Sequence, residues 1–231
     1  MRVSPGLRAA VILEKMGLII MASITLKEKA YEQLRALLME GTISSNDQLT
    51  EKYLVDLLQM SRTPIRSALE KLAAEGLLNI APNKGLSLPG LSLQRVADFF
   101  DFRIAIEGHI VHKLANRKLS PGEIAWFREN LRIQEETAAQ HDYLAFTHAD
   151  SEFHRQLALV YENEEMVQMM NNLQDRLFQL ALKVLRKDNN RIQNSYRDHL
   201  EIFELILSRD ADEAKRRIVE HLEYAARILV L

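Results

Sequence analysis

The chain has 231 residues, 47% hydrophobic and 27% charged, with a net charge of −2 and no cysteine. That length suits one large domain or two ordinary ones, and the composition is that of a globular protein rather than a membrane or disordered one. The missing cysteines exclude disulfides and thiolate metal sites and fit a reducing, cytoplasmic setting, so any metal must be held by His, Asp or Glu.

Charge is spread unevenly: three basic and one acidic residue in 1–22, eight of each in 23–90, and 19 basic against 23 acidic in 91–231. Nucleic-acid binding would therefore rest on a local patch rather than on a basic domain. Glycine and proline are few, which favours helix.

Residues 1–22 form an N-terminal extension. The apolar run from Leu7 to Met21 is broken by Glu14-Lys15, too short for a membrane span and without a clear cleavage site. It reads as sequence upstream of a start at Met21, with an accessory helix as the other reading.

From about Thr25 to Glu40, Leu26, Ala30, Leu34, Leu37 and Leu38 recur at a helical period, and Gly41 ends the run. Ser44 to Asp47 is a turn. Thr50 caps a second helix expected to bury Leu54, Leu57 and Leu58. Ser61 is the natural N-cap of a third, with Pro64 in its first turn, where a missing N–H costs little. Ile65, Leu69 and Leu72 give that helix a buried side, and it ends near Gly76. Arg62 and Arg66, four residues apart, project together near its start. Paired guanidinium groups there suit guanine edges and phosphates. Leu77–Ala81 and Leu86–Leu88 are strand-like runs around a hairpin turn at Pro82-Asn83-Lys84-Gly85. Three helices and a hairpin make a winged helix-turn-helix, with the third helix for the major groove and the wing tip for the backbone or minor groove.

The run from Leu26 to Leu88, with Gly41, Leu49, Ser61-Arg62-Thr63-Pro64-Ile65-Arg66, Ala68-Leu69, Leu72, Glu75-Gly76-Leu77 and Gly85, resembles the DNA-binding domain of the GntR family of bacterial transcription regulators. The resemblance implies that Arg62 and Arg66 read a guanine and its surroundings. It implies that Ser61 and Thr63 support phosphate and base contacts, that Lys52 touches DNA from the preceding helix, and that Lys84, before Gly85, reaches the minor groove. Ser67 stands where the family has an acid, and Ser45-Asn46-Asp47 where it has a Pro-Gly turn.

Pro89-Gly90 marks a boundary. Beyond it, helices are expected at about 92–117, 121–139, 141–161, 164–187, 191–208 and 210–229, joined by short connections as in a bundle. The fold class is thus mainly α: a winged helix-turn-helix over 23–89 and an all-α bundle over 91–231.

Three of these helices carry polar residues where the pattern demands apolar ones. Asp150 and His154 interrupt the stripe Tyr143, Thr147, Leu157, Tyr161. His199 interrupts Ile192, Tyr196, Phe203, Ile206, and His221 interrupts Ala214, Ile218, Ala225, Ile228. Buried polar groups must be paired. These are either hydrogen-bonded core residues or ligands of one shared divalent ion, with a donor set suiting Zn, Ni, Mn or Fe. His109, His112, His141 and His148 fall off the stripes and are expected in solvent. Arg103 lies in the row Phe99, Ile106, Ile110, Leu114, one turn before Glu107. It is either half of an internal salt bridge or a pocket cation for a ligand carboxylate.

Arg103 with Glu107, Asp150-x-x-Phe153-His154, His199 and His221 also resemble the FCD effector-binding domain, found after GntR-type heads in the FadR subfamily. That resemblance implies a bundle of six helices, or seven in one branch. It implies a divalent cation held by Asp150, His154, His199 and His221, and a small organic-acid effector contacted by Arg103 and Glu107. The function it implies is a transcriptional regulator, in most cases a repressor, that binds an inverted-repeat operator as a homodimer with no membrane association. A helical metalloenzyme using the Asp/His3 set is the alternative; no nucleophile, and no acid or base beyond Glu107, is placed to support it.

Overall fold

The computed structural model describes residues 25–39, 49–81, 85–88, 92–187 and 190–230. The chain divides into two compact units, Met1–Pro89 and Gly90–Leu231. The extension 1–22, the stop at Gly41, the turn at Ser44–Asp47, the hairpin tip with Lys84 and the boundary at Pro89-Gly90 lie outside the described residues.

The first unit holds α1 (Leu26–Met39), α2 (Glu51–Leu58), α3 (Arg62–Ala74) and the strands β1 (Asn79–Ala81) and β2 (Gly85–Ser87). Ala30, Leu34 and Leu38 of α1 and Leu54 of α2 close on Ile65, Ala68, Leu69 and Leu72 of α3. Leu26 and Leu57, expected inside, are 65% and 43% exposed. Leu26 opens α1, and Leu57 sits on the flank of a helix of only eight residues whose buried row is set by Leu54. The Thr50 hydroxyl accepts from Tyr53 N at 3.1 Å, capping α2 as expected.

Ser61 occupies the N-cap of α3 with extended backbone but makes no side-chain cap bond. Pro64 contributes to this. It is the third helical residue, and its missing N–H is one of the donors an N-cap hydroxyl normally takes. Gly76 ends the helix at φ +74, and Leu77 N returns to Leu72 O at 2.9 Å, the left-handed exit that glycine adopts without strain. β1 and β2 pair antiparallel, Asn79 opposite Ser87 and Ala81 opposite Gly85.

The second unit is, among the described residues, a bundle of six helices: α4 (Leu93–Ala115), α5 (Pro121–Ala139), α6 (Tyr143–Tyr161), α7 (Glu164–Lys187), α8 (Arg191–Ser208) and α9 (Ala211–Val230). Their starts carry local caps. Ser92 accepts from Arg95 N, Asp142 accepts from Ala145 N, and Ser120 and Glu123 form a reciprocal capping box ahead of α5. Several ends are left-handed without glycine: His141, Glu162 and Arg209 have φ of 54°, 62° and 65°. α4 lies along α9, α6 against α5 and α7, and α8 against α5 and α9. Phe127, Phe153 and Phe203 meet with Phe127's ring 5.5 and 5.1 Å from the other two. Around them Ile110, Leu114, Leu157, Ile202 and Ile218 are fully buried. No helix among the described residues is long and apolar enough to cross a membrane.

Candidate functional site

The polar residues on the inward stripes converge. Asp150 and His154 of α6, His199 of α8 and His221 of α9 are all buried, and one ligand atom from each lies within 4.8 Å of every other. His199 Nε2 is 3.2 Å from His221 Nε2 and 3.7 Å from an Asp150 oxygen. Ser195, one turn before His199, donates to that oxygen at 3.3 Å.

Each imidazole is held from behind through its other nitrogen. His154 Nδ1 faces Glu107 at 2.5 Å, His199 Nδ1 faces Gln134 Oε1 at 2.8 Å, and His221 Nδ1 faces Asp198 at 3.0 Å. Glu107 and Gln134 offer acceptors, so His154 and His199 carry the proton on Nδ1 and keep a bare lone pair on Nε2. His221 has a second neighbour, the donor-only Arg191 guanidinium at 3.1 Å. The tautomer that donates to Asp198 is the one that frees its Nε2 for a ligand.

Burial drives the His154 and His199 pKa values well below the usual imidazole range, helped by the neighbouring positive charges. Burial also lowers His221, to about 4, against the opposing pull of Asp198. Asp150 is pushed up to about 6 by burial, with Arg103 and Arg191 opposing. Near neutral pH the cluster is three neutral imidazoles and one carboxylate. With His221 in the tautomer that donates to Asp198, three lone pairs and an anion face one another, a poor arrangement by itself and a good one for a divalent cation. The donor set therefore fits a metal and could hold one.

Asp150, His154 and His221 open onto a cavity with about 20 Å³ of free volume, walled by Phe100, Val184 and Leu185 and flanked by Arg103. Arg103 makes the internal salt bridge and also borders this cavity. Its Nε donates to Glu107 at 2.6 Å, while one terminal nitrogen is buried without a partner. Glu107 departs from the expectation that it meets an effector. Its second oxygen is engaged by His154, it is completely buried, and burial raises its pKa against the opposing charge of Arg103. A carboxylate in that position orients a histidine; it would repel an acidic ligand.

Sequence reasoning missed Gln134, Asn130, Asp198 and Arg191. Gln134 Nε2 donates to Asn130 Oδ1 at 2.7 Å, and Asn130 donates to Ala149 O at 3.0 Å. This amide relay ties His199 to the backbone beside Asp150. Its signal was present, since both amides lie on the stripe with Phe127, Leu131 and Ala138. Arg191 and Asp198 pair at 3.2 Å, seven residues apart in α8. The histidines off the stripes lie at the surface but are not idle. His109 meets the Tyr161 hydroxyl at 3.2 Å, His112 is 3.5 Å from Asp212, and the rings of His148 and Phe178 are 4.5 Å apart.

In the first unit Lys52, Ser61, Arg62, Thr63 and Arg66 are exposed, around the start of α3. Arg62 is open to solvent, whereas Arg66 is clasped by Glu51 of α2, Nε at 2.7 Å and a terminal nitrogen at 3.0 Å. Gly85 begins β2 at φ +82, and Leu86 N bonds Leu49 O at 3.4 Å, so the base of the wing is tied to the segment entering α2.

Both units match known families. Residues 26–87 match the bacterial regulatory proteins of the gntR family, and residues 98–224 match the FCD domain. The chain is a GntR-family transcriptional regulator with an FCD domain. Curated relatives of this GntR regulator include the Nta operon transcriptional regulator of Aminobacter aminovorans, 28% identical over 77% of this chain and 81% of that one. They also include the transcriptional repressor RspR of Escherichia coli, 25% identical over 85% of each. A putative GntR regulator from Rhodococcus sp. RHA1 shares the fold at a TM-score of 0.73 and 20% identity, over 88% of this chain and 97% of that one. The family and these relatives are regulators, not enzymes, and the metalloenzyme alternative is not favoured.

Proposed function

We propose that this GntR regulator binds an inverted-repeat operator as a homodimer in the cytoplasm, acts mainly as a repressor, and is controlled by a small carboxylate sensed at a divalent-metal site. DNA reading is assigned to residues 23–89. Arg62 and Arg66 meet base edges, Ser61, Thr63 and Lys52 the backbone, and the wing at Lys84 and Gly85 the minor groove. Sensing is assigned to 91–231. Asp150, His154, His199 and His221 hold one Zn, Ni, Mn or Fe ion, and Arg103 grips the effector carboxylate beside it.

One observation carries this reading: three imidazoles on three helices, each held at Nδ1, bring one ligand atom apiece within 4.8 Å of one another and of Asp150. A bound cation supplies positive charge that a carboxylate can share. Glu107, Gln134 and Asp198 orient the rings, and Arg103 offers a guanidinium that is already desolvated. The effector changes DNA affinity only as far as it binds two arrangements of the protein unequally.

The test is elemental analysis of protein purified without chelator, with melting curves in the presence of Zn, Ni and Mn. One ion per chain and a raised melting temperature support the reading. Protein with neither returns the histidines to the role of core hydrogen-bonders.

A further inference from the structure

A second arginine faces the same cavity. Arg191, the first residue of α8, is 3% exposed and lines the space together with Arg103, Asp150, His154 and His221. One terminal nitrogen donates to Asp198 at 3.2 Å and the other lies 3.1 Å from His221 Nδ1, while its Nε is buried with no hydrogen-bond partner. Arg103, 5% exposed and on α4, likewise keeps one buried guanidinium nitrogen without a partner. Each guanidinium is braced by an aromatic ring, Arg103 at 5.8 Å from Phe100 and Arg191 at 4.8 Å from Tyr224.

A buried donor left unmade is costly, about 1–3 kcal/mol and more when charged. A monocarboxylate shared between the cation and Arg103 would leave Arg191 unanswered. Two guanidinium groups on different helices, separately anchored and facing one small space, match a ligand with two anionic ends. The apolar walls of Phe100, Val184 and Leu185 suit a short hydrocarbon spacer; the cavity as it stands has room for little more than a water, so the ligand must open it, and a long spacer would have to open it most.

We infer that the effector is a compact dicarboxylate, one carboxylate held beside the metal by Arg103 and the second by Arg191. This rests on the metal-dependent sensing proposed above.

The experiment is titration calorimetry of the full-length, metal-loaded protein with acetate, propionate, malonate and succinate, repeated on Arg191→Gln, Arg191→Lys and Arg103→Gln. Metal content is measured for each. In the wild type, malonate or succinate binds at least about tenfold more tightly than either monocarboxylate, the ratio one charge-assisted bond provides. Arg191→Gln removes most of that preference, read as the ratio of dicarboxylate to monocarboxylate affinity; Arg103→Gln weakens both classes and keeps the ratio nearer that of the wild type. Because Arg191 also braces Asp198, Arg191→Lys keeps a cation there. If Arg191→Gln loses metal, the wild-type ratio and Arg191→Lys decide. Stoichiometric metal with equal affinity for mono- and dicarboxylates, or an Arg191→Gln protein that keeps the preference, overturns this inference alone. A wild type that takes up no metal overturns the sensing reading and this inference with it.

Discussion

Gln134→Leu tests whether the cluster is built to present ligands. Gln134 is completely buried, and its amide makes two bonds, accepting from His199 Nδ1 at 2.8 Å and donating to Asn130 at 2.7 Å. Leucine fills much the same space but offers neither. Two buried polar atoms lose a partner, at about 1–3 kcal/mol each, partly offset by the added apolar burial. The net is about 1–3 kcal/mol, or about 2–4 °C in melting temperature per kcal/mol for a chain of this size. The larger effect falls on the ion. Without an acceptor behind it, His199 no longer has a fixed tautomer, and removing such a partner lowers metal affinity by about 10–100-fold. Zn or Mn titrations monitored by melting, with and without chelator, separate the two effects. A Gln134→Leu protein that binds metal as tightly as wild type while melting earlier would refute the argument, because the relay would then serve packing only.

Three further outcomes follow from the geometry. His221→Ala removes one Nε2 ligand and strands Arg191 beside Asp198, so elemental analysis should find sub-stoichiometric metal, and DNA binding, followed by fluorescence anisotropy, should no longer respond to carboxylates. Arg62→Ala, open at the start of α3, should cost about 1–3 kcal/mol on operator DNA and much less on scrambled DNA; equal losses on both would make it a phosphate contact. Glu123→Gln keeps an oxygen for the Ser120 backbone N–H but removes the titrating charge and the ion pair with Arg117. Glu123 keeps a pKa below its ordinary 4.5 because the Ser120 and Arg117 contacts outweigh the effect of burial. A lowered folded value stabilises above 4.5 and is lost as pH falls through it. The stability gap between wild type and variant, read from melts across pH, should therefore be full at neutral pH and close in acid.

The helices of the second unit were legible because each presents an apolar stripe to a core, and misfits on a stripe are visible by contrast. Asp150 and His154 stood out in that way, as did His199 and His221. Gln134 and Asn130 carried the same signal but escaped, since an amide on a stripe has no ionic chemistry to advertise it. Arg191 was hidden at a helix start, where any polar residue passes as a cap. Asp198 was hidden because its partner His221 lies on another helix, 23 residues on. The role of Glu107 needed the third dimension: spacing placed it beside Arg103, but only the approach of α6 turned its second oxygen to His154. In the first unit the Arg66–Glu51 clasp spans 15 residues, beyond any local pattern. Pro64 removes one of the two donors a Ser61 cap could use, and that was readable in advance.

The cluster draws its polar groups from α4, α5, α6, α8 and α9, while α7 lends the cavity only Ala181, Val184 and Leu185. None of those three side chains carries a ligand atom of the proposed metal site or an acceptor behind a ring. Divergence among gene copies is then channelled. If the cavity senses a small molecule as proposed, a descendant acquires a taste for a bulkier or slimmer one by changes along one helix, and the interior constellation is inherited intact.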